Sequence, residues 1–132
     1  MGIVAHKKIT SKQIDILLDI AWSELVKLKA NSRCEYCGSP SNLQSHHIHT
    51  RKKKSTRWHI ENGVCLCEDH HVYSPEFSAH RTEKEFMEWL ENDRGEAFIT
   101  DLERLSNATL KLFIHEKQEL LDQLNTKIKL LK

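Results

Sequence analysis

Cys34-Glu-Tyr-Cys37 begins the most informative stretch of this sequence, and Cys67-Glu-Asp-His70-His71 ends it. Zinc prefers thiolate and imidazole ligands in a tetrahedral set, and proteins commonly supply them as two pairs, each with a two-residue spacer. The two outer pairs therefore predict one structural Zn²⁺ site with the ligands Cys34, Cys37, Cys67 and His70. The polar residues left over in the stretch are typical of a metal-dependent phosphodiesterase rather than of a zinc finger alone: His46, His47, Asn62 and His71.

The composition indicates a single intracellular domain. The chain has 132 residues, which we expect to form one domain over 1–132, and its formal net charge is +1. No apolar segment near Met1 resembles the hydrophobic region of a signal peptide, and none elsewhere is long enough to cross a bilayer. We therefore expect a cytoplasmic protein that does not associate with membranes and whose cysteines bind metal rather than form disulfides.

A basic run interrupts this nearly neutral chain. Its members are Arg51, Lys52, Lys53, Lys54 and Arg57, with no acidic residue among them. Such side chains bind the phosphates of nucleic acids largely without regard to base sequence. The run is therefore a candidate nucleic-acid contact, with a simple solvated loop as the alternative.

The expected fold is α+β and mostly helical. A capping box at Thr10-Ser-Lys-Gln13, followed by apolar residues three and four apart, predicts an N-terminal helix over 11–30. Residues 42–49 and 58–61 are predicted to be the strands of a hairpin, and Asn62-Gly63 a turn. Residues 64–73 are then predicted to form a short helix. The predicted core is thus a zinc-stapled β-hairpin plus helix over 33–80.

Residues 82–132 are predicted to be a helical extension. Thr82-Glu-Lys-Glu85 and Thr100-Asp-Leu-Glu103 are capping boxes, and Gly95 marks the end of a helix between them. From Thr100 the chain is predicted to be helical to its end. Its apolar seam has a four-three spacing with one charged interruption: Leu110, Ile114, Lys117, Leu121, Leu124, Ile128 and Leu131. The seam is compatible with packing against the first helix or with a homodimer through the C-terminal helix.

The central residues together resemble the HNH endonuclease family, the ββα-metal or His-Me finger nucleases. The usual pattern of this family is Cys-x-x-Cys, then Asp-His or His-His, then Asn, then a Cys-x-x-Cys-His whose final His follows the Asn by nine residues. Here His71 follows Asn62 by nine residues and Cys67 follows it by five. The resemblance covers about forty residues, from Arg33 to His71. It implies the ββα-metal fold and metal-dependent hydrolysis of DNA.

The resemblance assigns a role to each matching position. Phosphodiester hydrolysis needs an activated water and stabilisation of the charge on the phosphate and leaving oxygen. The family pattern makes His47 the general base that takes a proton from water. It makes His46 and His71 ligands of a catalytic Mg²⁺ or another divalent cation, and Asn62 the residue that braces the hairpin loop.

One position departs from the family pattern. His70 stands where the family usually has a fourth zinc cysteine. Histidine is a good zinc ligand, so a set of three cysteines and one histidine is expected. Cys65 and His80 are alternative ligands at that position, and His80 is also a candidate third ligand of the catalytic metal.

Two other functions remain compatible with the sequence. A zinc-stabilised module that binds nucleic acid without catalysis needs only the zinc site and the basic run. A scaffold protein would use the C-terminal seam as its working surface. The scaffold hypothesis predicts dimers that dissociate when Leu121 and Leu124 become polar, and no affinity for DNA.

Overall fold

The computed structural model describes residues 8–132, so residues 1–7 of the predicted domain lie outside it. The described chain is α+β, as predicted, with one two-stranded antiparallel hairpin among several helices. None of the described helices is both long and apolar enough to cross a membrane. The elements in chain order are helix α1 (Ser11–Lys29), strand β1 (Leu43–His47), a 3₁₀ turn (Ile60–Asn62), strand β2 (Gly63–Cys67), a π-helical turn (Asp69–Tyr73), and helices α2 (Glu83–Arg94), α3 (Glu96–Ser106) and α4 (Ile114–Leu131).

Helix α1 forms where the sequence predicts it, and its start confirms the capping box. The Thr10 hydroxyl accepts a hydrogen bond from the Gln13 amide at 3.1 Å, and the Gln13 side chain accepts one from the Thr10 amide at 2.9 Å. The residues that α1 buries lie on one face: Ile14, Leu18, Ala21, Trp22, Leu25 and Val26. Leu17 also fits the apolar period, but it is exposed because it lies beyond the edge of this face.

The hairpin confirms one predicted strand and corrects the other. Strand β1 lies within the predicted 42–49, and it pairs antiparallel with β2 so that Gln44 faces Leu66 and His46 faces Val64. Residues 58–61 do not form the predicted strand, and 64–67 belong to β2 rather than to a helix. The reason is that β2 is buried on both faces, so it lacks the alternation that identifies a half-exposed strand. The predicted helix over 64–73 is reduced to the π-helical turn.

The C-terminal region contains three helices, whereas the sequence predicts two. Helix α2 begins after Thr82, but the Thr82 hydroxyl bonds to Ser78 instead of capping the helix. Gly95 has a φ of +94° and separates α2 from α3 directly. The predicted helix start at Thr100 is therefore wrong, because Thr100 lies inside α3. Residues 107–113 are not helical and separate α3 from α4.

Two apolar cores lie on either side of the hairpin. Helix α4 packs along α1, and its seam residues Leu121, Leu124 and Ile128 are buried against α1 within the same chain. The charged seam residue Lys117 is paired with Asp15 of α1 at 2.7 Å. Strand β2 turns Cys65 toward this core and places Gly63 against α1, whereas Val64, Leu66 and Cys67 join α2 in the second core. Packing within the chain is thus observed at these three seam residues, and a homodimer through the rest of α4 stays a prediction.

Candidate functional site

The first candidate site is a cluster of three cysteines and one histidine. The ligand atoms of Cys34, Cys37, Cys67 and His70 all lie within 4.8 Å of one another. The Cys67 sulfur is 3.2 Å from Nδ1 of His70 and the Cys37 sulfur is 3.8 Å from that of Cys67. These residues are close enough to bind a metal ion such as zinc, and their donor set is the one that tetrahedral zinc prefers.

Local structure brings this cluster together. Cys34 and Cys37 lie in the turn after α1, where Gly38 adopts a φ of +79° that closes the turn back on Cys34. Cys67 ends β2, and His70 lies in the π-helical turn that follows. Burial opposes ionisation of the Cys34 thiol, but backbone N–H groups around its sulfur outweigh burial and lower its pKa to about 7. The Cys34 thiolate is therefore accessible near neutral pH, whereas burial raises the pKa of the Cys67 thiol to about 11.

The two alternative zinc ligands lie elsewhere. Cys65 is fully buried in the core against α1, and burial raises the pKa of its thiol to about 11. His80 belongs to a second cluster, with His46 and His71. Neither residue joins the four-ligand group.

The second cluster consists of three histidines. Ring nitrogens of His46, His71 and His80 lie within 4.8 Å of one another, and Nε2 of His71 is 3.2 Å from Nε2 of His80. The His80 amide donates to the His71 carbonyl at 3.0 Å, so the backbone itself holds these two residues side by side. His71 also has Nδ1 2.6 Å from the Gln44 side-chain oxygen. An amide oxygen accepts only, so Nδ1 of His71 carries the proton and Nε2 has a free lone pair.

Two members of the histidine cluster, His46 and His71, are electrically neutral at physiological pH. Burial, followed by the neighbouring histidines, lowers the pKa of His46 to about 3. Burial and the charge of His80 lower the pKa of His71 to about 4. Both imidazoles therefore keep a lone pair near pH 7. Together with the adjacent His80 ring, these imidazoles converge closely enough to hold one divalent cation.

His47 is held separately from this cluster. Its ring is stacked on Trp22 of α1, with ring centroids 3.8 Å apart and an interplanar angle of 9°. Its Nε2 is 2.9 Å from the Arg57 carbonyl oxygen. A carbonyl has no proton to give, so Nε2 donates and Nδ1 is the basic nitrogen. Burial lowers the pKa of His47 below its ordinary value, which keeps the ring neutral and able to accept a proton.

Asn62 is fully buried at the base of the loop that follows β1. Its side-chain oxygen accepts from the His49 amide at 2.8 Å, and its side-chain NH₂ donates to the His49 carbonyl at 3.0 Å. Its backbone carbonyl accepts from the Ile48 amide at 2.9 Å. These three bonds fix the point at which the chain leaves β1, directly after His46 and His47.

The histidine cluster and His47 open onto one cleft of about 540 Å³. The three clustered histidines and His47 line it. The other lining residues include Arg51, Glu83 and Phe86. The volume of the cleft thus exceeds that of a phosphate group, and Arg51 at the start of the basic run lines it.

The structure divides the basic run into two groups. The side chains of Arg51, Lys52, Lys53 and Lys54 are exposed. Arg57 instead directs its guanidinium to the Asp19 carboxylate through Nε at 3.0 Å and Nη2 at 2.7 Å, and its side chain is only 17 % exposed. The four exposed side chains are therefore accessible to a partner, although Arg51 also contacts Asp19 at 3.2 Å and Lys53 contacts Asn107 at 3.3 Å. Arg57 is engaged within the protein.

Three residues that contribute to the site are absent from the sequence analysis: Asp19, Trp22 and Gln44. Asp19 and Trp22 lie on α1, far from the histidine pairs in sequence, and the apolar period of α1 identifies Trp22 only as a core residue. Gln44 lies two residues before His46 on β1, and strand alternation places the two side chains on the same face. That alternation is the one sequence signal that could have found Gln44.

Comparisons of the chain with protein-family models, with curated proteins and with solved structures found no match.

Proposed function

We propose that this protein is a metal-dependent endonuclease of the HNH type that hydrolyses DNA phosphodiester bonds. The observation that carries the proposal is the shared cleft. It contains a set of three convergent imidazoles and, beside it, a fourth imidazole with a separately fixed orientation. A purely structural metal site would not require this second arrangement. We take the hairpin and the π-helical turn as the ββα-metal unit of the family.

His46, His71 and His80 would hold the catalytic cation. A bound divalent ion supplies positive charge that stabilises the phosphate and the leaving oxygen. Three imidazoles suit Zn²⁺, Ni²⁺, Cu²⁺ or Fe²⁺, whereas Mg²⁺ prefers oxygen ligands. Within the proposal, therefore, a transition-metal ion fits the residues better than Mg²⁺.

His47 would act as the general base. Its Nδ1 accepts a proton from the attacking water, while Nε2 stays bonded to the Arg57 carbonyl. The imidazolium that forms is stabilised by that carbonyl and by stacking on Trp22. Asn62 would keep the loop after β1 in place so that the base keeps its position relative to the cation ligands.

The cluster of three cysteines and one histidine would bind a structural Zn²⁺. It joins the turn after α1 to the end of β2, so the ion would hold together segments that are about thirty residues apart in the chain. Thiolate ligands persist where the cell keeps cysteines reduced. A reducing compartment such as the cytoplasm is therefore part of the proposal.

DNA would approach along the basic run. Arg51 lines the cleft and the three lysines that follow it are exposed, so the run would offer positive charge to the phosphates of DNA that enters the cleft. Binding of this kind weakens as salt increases and discriminates little between sequences.

A plasmid-nicking experiment tests the proposal. Supercoiled plasmid incubated with the zinc-loaded protein and Mn²⁺, Ni²⁺ or Mg²⁺ is expected to become nicked or linear. His47→Ala should reduce the rate by about a hundredfold or more, the usual contribution of a general base. His115→Ala is the matched control, because His115 is an exposed residue of α4 that does not line the cleft. Intact plasmid with every cation, or equal rates for wild type and His47→Ala, would refute the proposal.

A second candidate function is binding of nucleic acid without catalysis. The exposure of Arg51, Lys52, Lys53 and Lys54 favours it, since those side chains need no catalytic cation to bind phosphate. The discriminating measurement is calorimetric titration of the zinc-loaded protein with Mn²⁺ or Ni²⁺. Two results together would favour this second function. DNA binding would be sensitive to salt, and the titration would detect no cation site that is lost in His71→Ala.

A further inference from the structure

The Asp19 carboxylate accepts four hydrogen bonds from the loop that follows β1. It accepts from Arg57 Nε at 3.0 Å, Arg57 Nη2 at 2.7 Å, Trp58 Nε1 at 2.7 Å and Arg51 Nη2 at 3.2 Å. A carboxylate offers about four acceptor positions. The loop therefore fills all the hydrogen-bond acceptor positions of the Asp19 carboxylate.

Two of these donors are consecutive in the chain. One peptide unit joins Arg57 to Trp58. The side chains of both residues donate hydrogen bonds to the Asp19 carboxylate. The guanidinium contact is bidentate, which restricts orientation more than a single bond does. The oxygen of this peptide unit is the Arg57 carbonyl, the acceptor for Nε2 of His47. Asp19 thus fixes the position of a carbonyl that it does not touch.

We propose that Asp19 is a positioning residue for His47, acting through the peptide unit between Arg57 and Trp58. This inference rests on the proposed function, in which His47 is the general base. By fixing the Arg57 carbonyl, Asp19 holds His47 in the tautomer with the proton on Nε2 and leaves Nδ1 as the basic nitrogen. Helix α1, which the family resemblance does not cover, is then part of the catalytic apparatus.

The competing explanation gives Asp19 a structural role only. In that case stacking on Trp22 would be enough to orient His47, and the bonds from the loop to Asp19 would stabilise the fold without affecting the ring. Trp22 is itself tied down by a bond from its Nε1 to the His59 carbonyl at 2.9 Å. Stacking does not distinguish the two ring nitrogens, however, so it cannot select a tautomer.

The test is the tautomer of His47, measured from its ¹⁵N chemical shifts at a pH where the imidazole is neutral. The samples are zinc-loaded protein without a second metal. Asp19→Asn keeps the shape of the side chain but replaces one acceptor oxygen with a donor NH₂, so the bidentate contact with Arg57 is lost. Arg57→Lys keeps the charge and loses the same contact from the other side. Glu24→Gln is the matched control, because Glu24 is an acidic residue of α1 that pairs with Lys132 instead.

Wild type and Glu24→Gln should show His47 with its proton on Nε2. Asp19→Asn and Arg57→Lys should show a mixture of both tautomers, and the rate of plasmid nicking at saturating DNA should fall by about 10- to 100-fold, as for other supporting residues. The KM for plasmid should change little with Asp19→Asn. A variant that melts earlier but keeps the wild-type ¹⁵N pattern would overturn the proposal.

The two proposals fail separately. If the wild type cleaves no DNA, the proposed function is wrong, yet the ¹⁵N spectra still report whether Asp19 controls His47. If the wild type cleaves and Asp19→Asn retains both the tautomer and the nicking rate, the positioning role is wrong and the nuclease proposal stands. Arg57→Lys serves as the second variant if Asp19→Asn does not fold.

Discussion

Replacing Gly63 with alanine should disrupt the contact between the hairpin and α1. Gly63 has a φ of −119°, which any residue adopts, so the substitution introduces no backbone strain. The obstacle is space. A Cβ atom at this position would lie 2.3 Å from Val26 Cγ2, 3.2 Å from Val26 Cγ1 and 3.0 Å from Trp22 Cζ2. Ordinary contact begins near 3.4 Å, so β2 and α1 must separate by roughly 1 Å.

The expected cost follows from the stiffness of the neighbours. Val26 is buried and β-branched, so it has no other favourable rotamer in a helix that would move its methyl groups away. Overpacking a well-filled core usually costs about 1–3 kcal/mol, and a clash with a rigid side chain belongs at the upper end. We therefore expect Gly63→Ala to lower the free energy of unfolding by about 3 kcal/mol.

A second substitution makes the reasoning testable. Val26→Ala removes both methyl groups in the clash and should by itself cost about 2 kcal/mol, from lost burial and the cavity left behind. Independent effects would place the double variant about 5 kcal/mol below wild type. Because the methyl group introduced at position 63 would occupy the space vacated at position 26, we expect a loss of only about 3 kcal/mol and a coupling of about 2 kcal/mol.

Urea unfolding of the zinc-loaded protein measures these free energies, with the fluorescence of the tryptophans as the signal. The four species are wild type, the two single variants and the double variant. Additive losses, or a Gly63→Ala variant as stable as wild type, would refute the close approach of β2 to α1. The control is Gly38→Ala, which meets no atom within 4 Å and is destabilised only by its φ of +79°. Val26→Ala should not rescue that variant.

Three other predictions concern metal, charge and pH. Cys67→Ser should abolish the binding of one equivalent of zinc and lower the hydrogen-exchange protection of the central residues. The reason is that structural zinc supplies on the order of 10 kcal/mol of folding free energy in small zinc fingers. Unchanged protection would exclude the four-ligand site. Replacing Lys52 and Lys54 with alanine should reduce the slope of log affinity for DNA against log salt by about 2, whereas Lys129→Ala on α4 should leave the slope unchanged; equal slopes would exclude phosphate contacts by this loop. Burial lowers the native pKa of His46 to about 3, so the unfolded chain binds more protons below pH 6.5. His46 should therefore make the free energy of unfolding fall by up to about 1.4 kcal/mol per pH unit as pH decreases from about 6.5 toward 3, and the lowered pKa of His71 adds to this fall. A His46→Asn variant that loses stability just as steeply in urea titrations would contradict this burial.

The sequence predicted the secondary structure best where one local signal was sufficient. Helix α1 has a capping box and a clear apolar period, and both are found in the structure. Strand β2 was missed because residues 63–67 are buried on both faces, so neither the helical nor the strand period appears in them. The Asn62-Gly63 pair was interpreted as a turn, whereas Gly63 is required by the packing of β2 on Val26. A glycine needed for close approach cannot be distinguished in sequence from one needed for a turn.

The candidate metal ligands could be predicted from the sequence because the chemistry of their side chains is specific. Cysteine and histidine pairs at short spacing have few other uses in a reducing environment, so Cys34, Cys37, Cys67 and His70 could be grouped before their distances were known. His80 was a weaker prediction, since its place beside His71 depends on a backbone hydrogen bond that spans the Ser74-Pro75 turn.

What surrounds His47 depended on the packing of distant segments. Its stacking partner and the carboxylate that anchors the neighbouring loop both come from α1, about 25 residues earlier in the chain. No spacing rule connects them, because that contact arises only when α1, buried by α4 on one side, receives the hairpin on the other. Which residues can bind a metal depends on their side-chain chemistry, so the local sequence predicts them. The orientation of the His47 ring depends on every element that packs against it, so only the tertiary structure determines it.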